Sequence, residues 1–366
     1  MREAEATTRD DPPWQTLQRA AVQARLPFNV TFETTYGCNL NCVHCFNPTH
    51  KTNAHELSTD EIKRVLSQLA AAGTLYINLT GGEALTRHDI CELLAYAKAH
   101  GMLVSLLTNA TLVTPEKADR LAALGLYRVD VSLYGATAAT YEAVTRVPGS
   151  FAKFVRGLDL LLERQIPVRL KTMVLTTNVH DIEAMREFAE SRGLHFEYCS
   201  DVRPKADGDP EPLQFRITPE QSVELYKTQV LDRQQPATSN QQPAAGTPSF
   251  EETCKMPGTG GGLFECGCGK SSCGISPYGE MNLCVSYHAP QCDVKHGRVA
   301  EGWQALTHFV DAQRPTEQFE CPTCPVYHAC TKVASNVYLE HGDFNACSAY
   351  HKRVAELTRD LLAPHA

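Results

Sequence analysis

The chain has 366 residues, 43% of them hydrophobic, and a formal net charge of −8. This length supports one large α/β domain plus a smaller one. No long Lys/Arg run suggests nucleic-acid binding, and no apolar stretch reaches the roughly 18 residues that a membrane span needs. The segment Met1 to Pro13 is charged and lacks an apolar core, so we predict no signal peptide and a cytoplasmic protein.

In chain order, residues 1–27 are predicted to form a short helical extension, and an alternation of strands and helices begins at Phe28. The predicted strands are residues 28–32, 75–79, 103–107, 127–133, 168–175 and 194–199. Six strand–helix units in series predict a parallel sheet with right-handed crossovers. The fold class is therefore expected to be α/β, with a partial (β/α)6 barrel of the TIM type over residues 28–231.

The remainder of the chain divides into three predicted segments. Residues 232–253 are rich in Pro, Gln and Ser, which is typical of a linker or mobile loop. Residues 254–347 carry ten of the 15 cysteines and are expected to form a small domain stapled by metal, before a C-terminal helix over 348–366. In a reducing compartment such cysteines favour metal binding or catalysis over disulfides.

Three cysteines lie in the loop after the first predicted strand. Cys38, Cys42 and Cys45 have the spacing C-x3-C-x2-C, so their thiolates can converge on one metal centre. Three ligands are one short of the four that close a structural zinc site or a cubane cluster, which leaves an open position for chemistry. In β/α barrels the active site is built at the C-terminal ends of the strands, where this loop lies. The alternative is a structural zinc knuckle with a distant fourth ligand.

The triad and the barrel together resemble the radical S-adenosylmethionine (SAM) superfamily over about residues 28–215. In that family the three thiolates hold a [4Fe–4S] cluster, and its open iron binds the amino and carboxylate groups of SAM. One-electron reduction then cleaves SAM to methionine and a 5′-deoxyadenosyl radical. The resemblance implies that the cluster and SAM carry the chemistry and that the protein positions them.

Further loops match the family pattern. Thr80 is followed by Gly81-Gly82-Glu83, which matches the family's GGE motif. The carboxylate of Glu83 suits the SAM ammonium. The family often has Thr-Asn-Gly after strand three, where Ala110 here replaces the glycine. The resemblance implies that His44 lies near the adenine of SAM, that Ser132 makes a polar contact with SAM and that Arg146 binds the SAM carboxylate. The alternative for Arg146 is a solvated residue at a helix end. The SAM contacts implied are His44, Gly81, Gly82, Glu83, Asn109, Ser132 and Arg146.

The C-terminal cysteines resemble the SPASM extension, which carries two auxiliary iron–sulfur clusters. By that resemblance one cluster is bound by Cys321, Cys324, Cys330 and Cys347. The other would use Cys266 and Cys284, with Cys268 and Cys273 as further candidates and Cys254 or Cys292 as alternatives. The family usually has another cysteine at the position of Ala334, so this cluster is one ligand short or recruits a substitute. The alternative is one or two zinc ribbons on the same cysteine pairs.

The resemblance implies hydrogen abstraction from a ribosomally made peptide, with an oxidative crosslink (thioether, C–C or ether) as the expected product. A SPASM-type enzyme that dehydrogenates, epimerises or decarboxylates a small metabolite or tetrapyrrole is the alternative. A non-catalytic iron–sulfur or zinc scaffold is disfavoured, because it has no reason to keep Gly81-Gly82-Glu83. About 27 residues precede strand one, so we expect a separate leader-binding protein if the peptide has a leader. We also expect flavodoxin or ferredoxin as electron donor, and neither nucleic acid nor membrane as partner.

Overall fold

The computed structural model describes residues 13–233 and 262–362. Residues 1–12 of the predicted extension, nearly all of the predicted linker and Cys254 lie outside the described residues. Strands β1 to β9 span Asn29–Glu33, Tyr76–Thr80, Leu103–Thr108, Arg128–Ser132, Val168–Met173, His195–Cys199, Ser272–Ile275, Glu280–Asn282 and Cys292–Asp293. Helices α1 to α11 span Pro13–Gln23, Thr59–Ala71, Ile90–Ala99, Pro115–Leu124, Ala138–Thr145, Ser150–Glu163, Ile182–Glu190, Pro219–Arg233, Val299–Ala312, Ala334–His341 and Ala349–Leu362.

All nine strands belong to one sheet, in the order β6-β5-β4-β3-β2-β1-β7-β8-β9. Strands β1 to β6 are parallel, which confirms the predicted α/β fold with a partial (β/α)6 barrel. Sequence patterns did not predict β7, which pairs in parallel with β1 and places Asn29 opposite Ser272. The Cys-rich region therefore begins by extending the barrel sheet, and β8 and β9 continue it as antiparallel strands.

Alternation along the strands gives the sheet two different faces. On β1, Val30 and Phe32 are fully buried against the helices, whereas Thr31 and Glu33 lie on the inner face of the barrel. The register carries this face across the sheet, because residues paired in parallel strands point to the same side. Its members on the neighbouring strands include Asn78, Thr80, Asp130, Ser132, Arg169, Lys171 and Gly274. The helices thus pack on an apolar outer face, and polar side chains line the interior where the site lies.

Helix ends follow local sequence signals. Ser58 and Glu61 form a capping box at the start of α2, with each side chain bonded to the other's backbone N–H. Helix α4 begins at Pro115 and ends before Gly125, whose positive φ of 55° closes the last turn. These local signals set where the connecting loops start, and those loops carry the candidate site.

Polar contacts attach the C-terminal region to the barrel. The indole N–H of Trp303 on α9 donates to the carbonyl of Arg25 at 2.6 Å. Asp201, in the segment after β6, accepts contacts from two C-terminal helices. His351 Nε2 on α11 lies 3.1 Å from its carboxylate, and the Asn336 amide on α10 donates to the same carboxylate at 2.6 Å. No helix in the described ranges is long and apolar enough to span a membrane.

Candidate active site and metal centres

The loop that carries Cys38, Cys42 and Cys45 leaves β1 and is held by backbone hydrogen bonds. The N–H of Cys38 donates to the His50 carbonyl at 3.1 Å. The N–H of Val43 donates to the carbonyl of Val144 at 3.0 Å, so the loop rests on α5, a helix that sequence patterns did not predict. This support places the three cysteines at the C-terminal end of the barrel, as expected for the loop after the first strand.

The three thiols lie close enough to influence one another electrostatically. Burial raises the pKa of Cys38 to about 11 and that of Cys45 to about 12, and it also raises the pKa of Cys42. The hydroxyl of Tyr134 donates to the sulfur of Cys42. The thiols are therefore neutral without metal, and iron would have to displace their protons, as metals bound by cysteine do.

The donor set of this loop fits an iron–sulfur cluster. Three sulfur donors on one short loop match the soft ligands that such clusters prefer. Among residues 13–233 and 262–362, no three His, Cys, Asp or Glu side chains are arranged closely enough to hold a single metal ion. The thiols of Cys38, Cys42 and Cys45 are thus not arranged as a site for a single metal ion.

Gly81 and Gly82 bring the loop after β2 directly against the cysteine loop. The N–H of Gly82 donates to the Thr35 carbonyl at 2.7 Å. A Cβ on Gly82 would lie 2.5 Å from the carbonyl oxygens of both Tyr36 and Gly37, and one on Gly81 would strike the backbone of Thr35. Gly81 also has a positive φ of 149°. The glycines are therefore required for close packing between the two loops, whether or not SAM also contacts them.

Glu83 is 1% exposed, and its carboxylate is satisfied by the protein itself. It accepts hydrogen bonds from the hydroxyl of Thr108 at 2.7 Å and from the N–H groups of Leu85 and Asn109 at 3.0 and 2.7 Å. Burial nevertheless raises its pKa. In the described chain Glu83 joins the loops after β2 and β3, and its predicted role at the SAM ammonium stays a prediction.

Asn109 links the loop after β3 to the cysteine loop. Its amide N–H donates to the side-chain oxygen of Asn39 at 3.1 Å, and its own side-chain oxygen accepts from Thr111. The next residue, Ala110, has a positive φ of 58° and is fully buried. The backbone shape that a family glycine would favour is therefore kept here by alanine.

His44, Ser132 and Tyr134 lie beside the triad. The ring of His44 contacts the ring of Tyr134 edge-on, with centroids 5.0 Å apart. Its buried Nδ1 has no hydrogen-bond partner, and burial lowers its pKa to about 4. The hydroxyls of Ser132 and Tyr134 are hydrogen-bonded. His44 is thus a neutral aromatic group with a free ring nitrogen, which suits an adenine neighbour, and Ser132 lies on the same side of the barrel.

Arg146 closes α5 with a positive φ of 56°. Its guanidinium lies 3.7 Å from the Glu211 carboxylate and over the ring of Phe215 at 6.0 Å. The side chain is 43% exposed, so neither contact buries it. Both interpretations of Arg146, as a partner of the SAM carboxylate and as a solvated residue at a helix end, therefore stay predictions.

At the first auxiliary site the structure brings three of the four candidate thiols together. The thiol of Cys268 is hydrogen-bonded to both Cys266 and Cys284. Cys273 lies on β7 opposite Val30, on the outer face, and burial alone raises its pKa. Strand alternation thus directs Cys273 away from Cys284, which packs over Gly274 on the inner face.

At the second auxiliary site, all four predicted cysteines line one small cavity. Its lining includes Cys321, Cys324, Cys330 and Cys347. The thiols of Cys321 and Cys347 both act on the pKa of Cys330, which burial raises. Four cysteines around one cavity match the number of thiolates that a closed cluster with no open position requires.

Sequence reasoning missed Glu33. It ends β1 on the inner face, is 1% exposed, and its Oε1 is buried without a hydrogen-bond partner. Burial, and then the nearby Cys284, raise its pKa well above the ordinary value. Period-two alternation from Asn29 and Thr31 could have placed this carboxylate inside the barrel. Glu33 thus lies where a ligand between the triad and Cys284 would meet it.

The chain is similar to known proteins in both sequence and fold. The family model described as the radical SAM superfamily matches residues 32–189. Mycofactocin maturase MftC of Mycobacterium tuberculosis (strain ATCC 25618 / H37Rv) is 31% identical over 311 residues, which cover 83% of this chain and 77% of that protein. The AdoMet-dependent heme synthase of Methanosarcina barkeri (strain Fusaro / DSM 804) is 28% identical over 339 residues, covering 87% of this chain and 94% of that protein.

A similar fold is found in Streptococcus suis SuiB, whose crystal structure was solved bound to the precursor peptide SuiA. The two structures agree with a TM-score of 0.69 over 96% of this chain and 84% of that one, at 14% sequence identity. At that identity the likeness concerns the fold. It includes the Cys-rich C-terminal region as well as the barrel, because nearly the whole chain is covered.

Proposed function

The chain belongs to the radical SAM superfamily, and we propose that it matures a ribosomally made peptide by an oxidative crosslink. As a member it is an enzyme that uses a [4Fe–4S] cluster and SAM. When bound, the cluster supplies the electron that cleaves SAM to the radical that abstracts hydrogen from the substrate. The observation that carries the proposal is the pairing of a three-thiol loop after β1 with two further cysteine groups in the C-terminal region.

Each part of the site has a proposed task. Cys38, Cys42 and Cys45 hold the cluster, and the loop of Gly81 and Gly82 supports them from β2. His44 stacks near the adenine of SAM, while Asn109, Ser132 and Arg146 bind its polar groups, and Glu83 orients Asn109 through the backbone. The two auxiliary cysteine groups would hold clusters that could accept the electron given up by the oxidised substrate.

The shape of the sheet supports a large substrate. In the described chain, β6 and β9 are the two edges of the sheet, so the barrel does not close into a ring. A peptide could enter from this side and reach the inner face near Ser132. Deeper in the barrel, Asp130 is paired with Arg169 and fills the interior below this position. The substrate is therefore expected to bind at the C-terminal end only.

Two partners complete the proposal. Flavodoxin or ferredoxin is proposed as the electron donor for the cluster. A separate protein is proposed to present the leader of the peptide, if the peptide has one. Both can be supplied as purified proteins in the assay below.

The test is an anaerobic assay of the reconstituted full chain with dithionite and SAM, and with short peptides encoded in neighbouring reading frames. We expect 5′-deoxyadenosine and a peptide lighter by two hydrogen atoms, because one hydrogen atom goes to the adenosyl group and one leaves as a proton and an electron. Cys42→Ala is the control and should give neither product. Formation of 5′-deoxyadenosine without any modified peptide would reject the peptide proposal but not the enzyme class.

A second candidate is favoured by one observation, the similarity to AdoMet-dependent heme synthase along 94% of that protein. On this alternative the substrate is a tetrapyrrole, and the reaction is an oxidation or decarboxylation of its side chains. The same assay with a haem precursor in place of the peptide distinguishes the two. Modification of the precursor, with every peptide unchanged, would support this alternative.

A further inference from the structure

The first auxiliary site has three sulfurs among the residues that the structure describes. Cys266, Cys268 and Cys284 form a hydrogen-bonded group of three thiols. Cys292 lies on β9, where burial alone raises the pKa of its thiol, and Cys273 lies on the outer face. The position at which the family has its fourth cysteine is Ala334, the first residue of α10. Within the described residues, no fourth thiol is seen in contact with this group.

A hydroxyl oxygen contacts this group of three thiols. Ser335 follows Ala334 directly, is 3% exposed, and accepts a hydrogen bond from the Cys284 thiol at 3.6 Å. Ser335 lies 51 residues after Cys284 in the chain, so packing of α10 against the segment after β8 brings their side chains together. The hydroxyl is therefore held against a predicted ligand by the fold rather than by local sequence.

A second hydroxyl contacts the same thiol but has another task. Ser286 Oγ lies 3.4 Å from the Cys284 sulfur, and it accepts a hydrogen bond from the guanidinium of Arg203 at 2.7 Å. An oxygen that accepts from a cation is a poorer donor to iron. Ser286 is also only two residues from Cys284, whereas Ser335 approaches from a separate helix. The arrangement therefore favours Ser335 as the ligand.

We propose that Ser335 supplies the fourth ligand of the auxiliary cluster held by Cys266, Cys268 and Cys284, so that three sulfurs and one oxygen bind it. The Fe–O bond forms as the O–H bond breaks, and the proton leaves to solvent, as thiol protons do when metal binds. Ser335 lies in the first turn of α10, where the helix dipole stabilises a negatively charged oxygen. The site is thereby closed without a fourth cysteine.

An oxygen ligand has a measurable consequence for the cluster. Alkoxide is a harder donor than thiolate and favours the oxidised iron, so the reduction potential should lie below that of the same cluster with four thiolates. Ser335→Cys should therefore raise the potential of one of the three clusters. Ser335→Ala should leave one iron without a protein ligand, so that mild oxidation removes it and produces a three-iron cluster.

The experiment compares the reconstituted full chain with Ser335→Cys, Ser335→Ala and the control Ser286→Ala. Iron content, the EPR spectra of the oxidised and reduced protein, and a redox titration are measured in each. We expect one potential to rise in Ser335→Cys and a three-iron EPR signal of about one spin per chain in oxidised Ser335→Ala. Ser286→Ala should match the unmodified protein in all three measurements.

The proposal is overturned if Ser335→Cys leaves all three potentials unchanged, which can be judged even if Ser335→Ala does not fold. It is also overturned if Ser286→Ala, and not Ser335→Ala, produces the three-iron signal. These readouts require no substrate. Failure of the peptide assay therefore leaves this inference untouched, and failure here leaves the proposed reaction untouched.

Discussion

The carboxylate of Glu83 accepts a 2.7 Å hydrogen bond from the backbone N–H of Asn109, which joins the loop after β2 to the loop after β3. Two more donors, Leu85 N–H and the Thr108 hydroxyl, share its other oxygen. Every donor around this buried group therefore faces an oxygen. An amide in its place would turn one N–H group toward another, since only one of its two ends can accept.

Glu83→Gln is therefore expected to destabilise the protein by about 2 kcal/mol, the cost of a buried unsatisfied donor, and to weaken SAM binding. Thermal unfolding and SAM titration measure the two effects. Glu56→Gln is the matched control, because Glu56 also accepts two bonds from the cysteine loop, from Thr35 and Tyr36 at 2.9 Å, but is partly exposed. Equal losses in both variants would contradict this role for Glu83.

Gly82→Ala should disrupt the metal site from a distance. The new Cβ would lie 2.5 Å from the carbonyls of Tyr36 and Gly37, just before Cys38, so the cysteine loop must move. We expect the reconstituted variant to lose about four iron atoms per chain and to stop cleaving SAM. Gly262→Ala is the control, since a Cβ at that position meets no atom of the described residues within 4 Å. Full iron content in Gly82→Ala would show that the loops tolerate separation.

The strands and the triad could be predicted from sequence because their signals are local. Alternating apolar residues define β1, and Ser58 with Glu61 defines the start of α2. Strand β7 escaped prediction because it has only four residues, one of them Gly274, and its pairing with β1 depends on tertiary structure. The contact between Gly82 and Tyr36 also could not be predicted, because it depends on how two loops pack and leaves no spacing pattern in the sequence.

Ala110 tests how much the left-handed backbone costs at the loop after β3. Its φ of 58° strains a residue with a Cβ by about 1 kcal/mol, and burial of its methyl group returns about 0.8 kcal/mol. Ala110→Gly should therefore change the free energy of unfolding by less than about 1 kcal/mol, with SAM affinity unchanged. Ala110→Val should destabilise by more, because a β-branched residue tolerates this conformation poorly. A loss of stability in Ala110→Gly as large as that in Ala110→Val would refute the argument.

Asp130 should give the protein a distinct acid sensitivity. Burial alone would raise the pKa of this carboxyl, but the cations of Lys171, Arg169 and Arg128 and the hydrogen bond from Arg169 lower it to about 2. Since the folded-state pKa is depressed, the stabilisation is full above the unfolded value near 4 and is lost as pH falls through about 2. It amounts to about 2.5 kcal/mol at neutral pH.

Asp130→Asn should therefore destabilise by about 3 kcal/mol at pH 7, because it removes the carboxylate that pairs with Lys171 and leaves the buried Arg169 with Glu197 as its remaining anionic partner. The difference from the unmodified protein should shrink below pH 4 in denaturant unfolding. Asp119→Asn is the control, since Asp119 pairs with Arg164 at 2.6 Å with its own side chain 68% exposed, and should cost less than about 1 kcal/mol. A constant difference between pH 7 and pH 2 would contradict the assigned pKa.

The cysteines of the second auxiliary site can be tested by iron content. The reconstituted chain should hold about 12 iron atoms, as three cubanes require. Cys347→Ala removes one of the four cysteines that line the cavity with Cys321, Cys324 and Cys330, so the iron content should fall by between about one and about four atoms per chain. Cys292→Ala changes a thiol outside that cavity and should leave iron unchanged.

The comparison separates loss of a ligand from loss of folding. Cys347 is exposed and Cys292 is partly buried, so packing alone would make Cys292→Ala the more damaging change. A larger loss of iron in Cys347→Ala therefore cannot come from packing and identifies a ligand. Iron near four per chain with stoichiometric zinc in the unmodified protein would instead assign both C-terminal sites to zinc, and the electron taken from the substrate would then need an acceptor outside this chain.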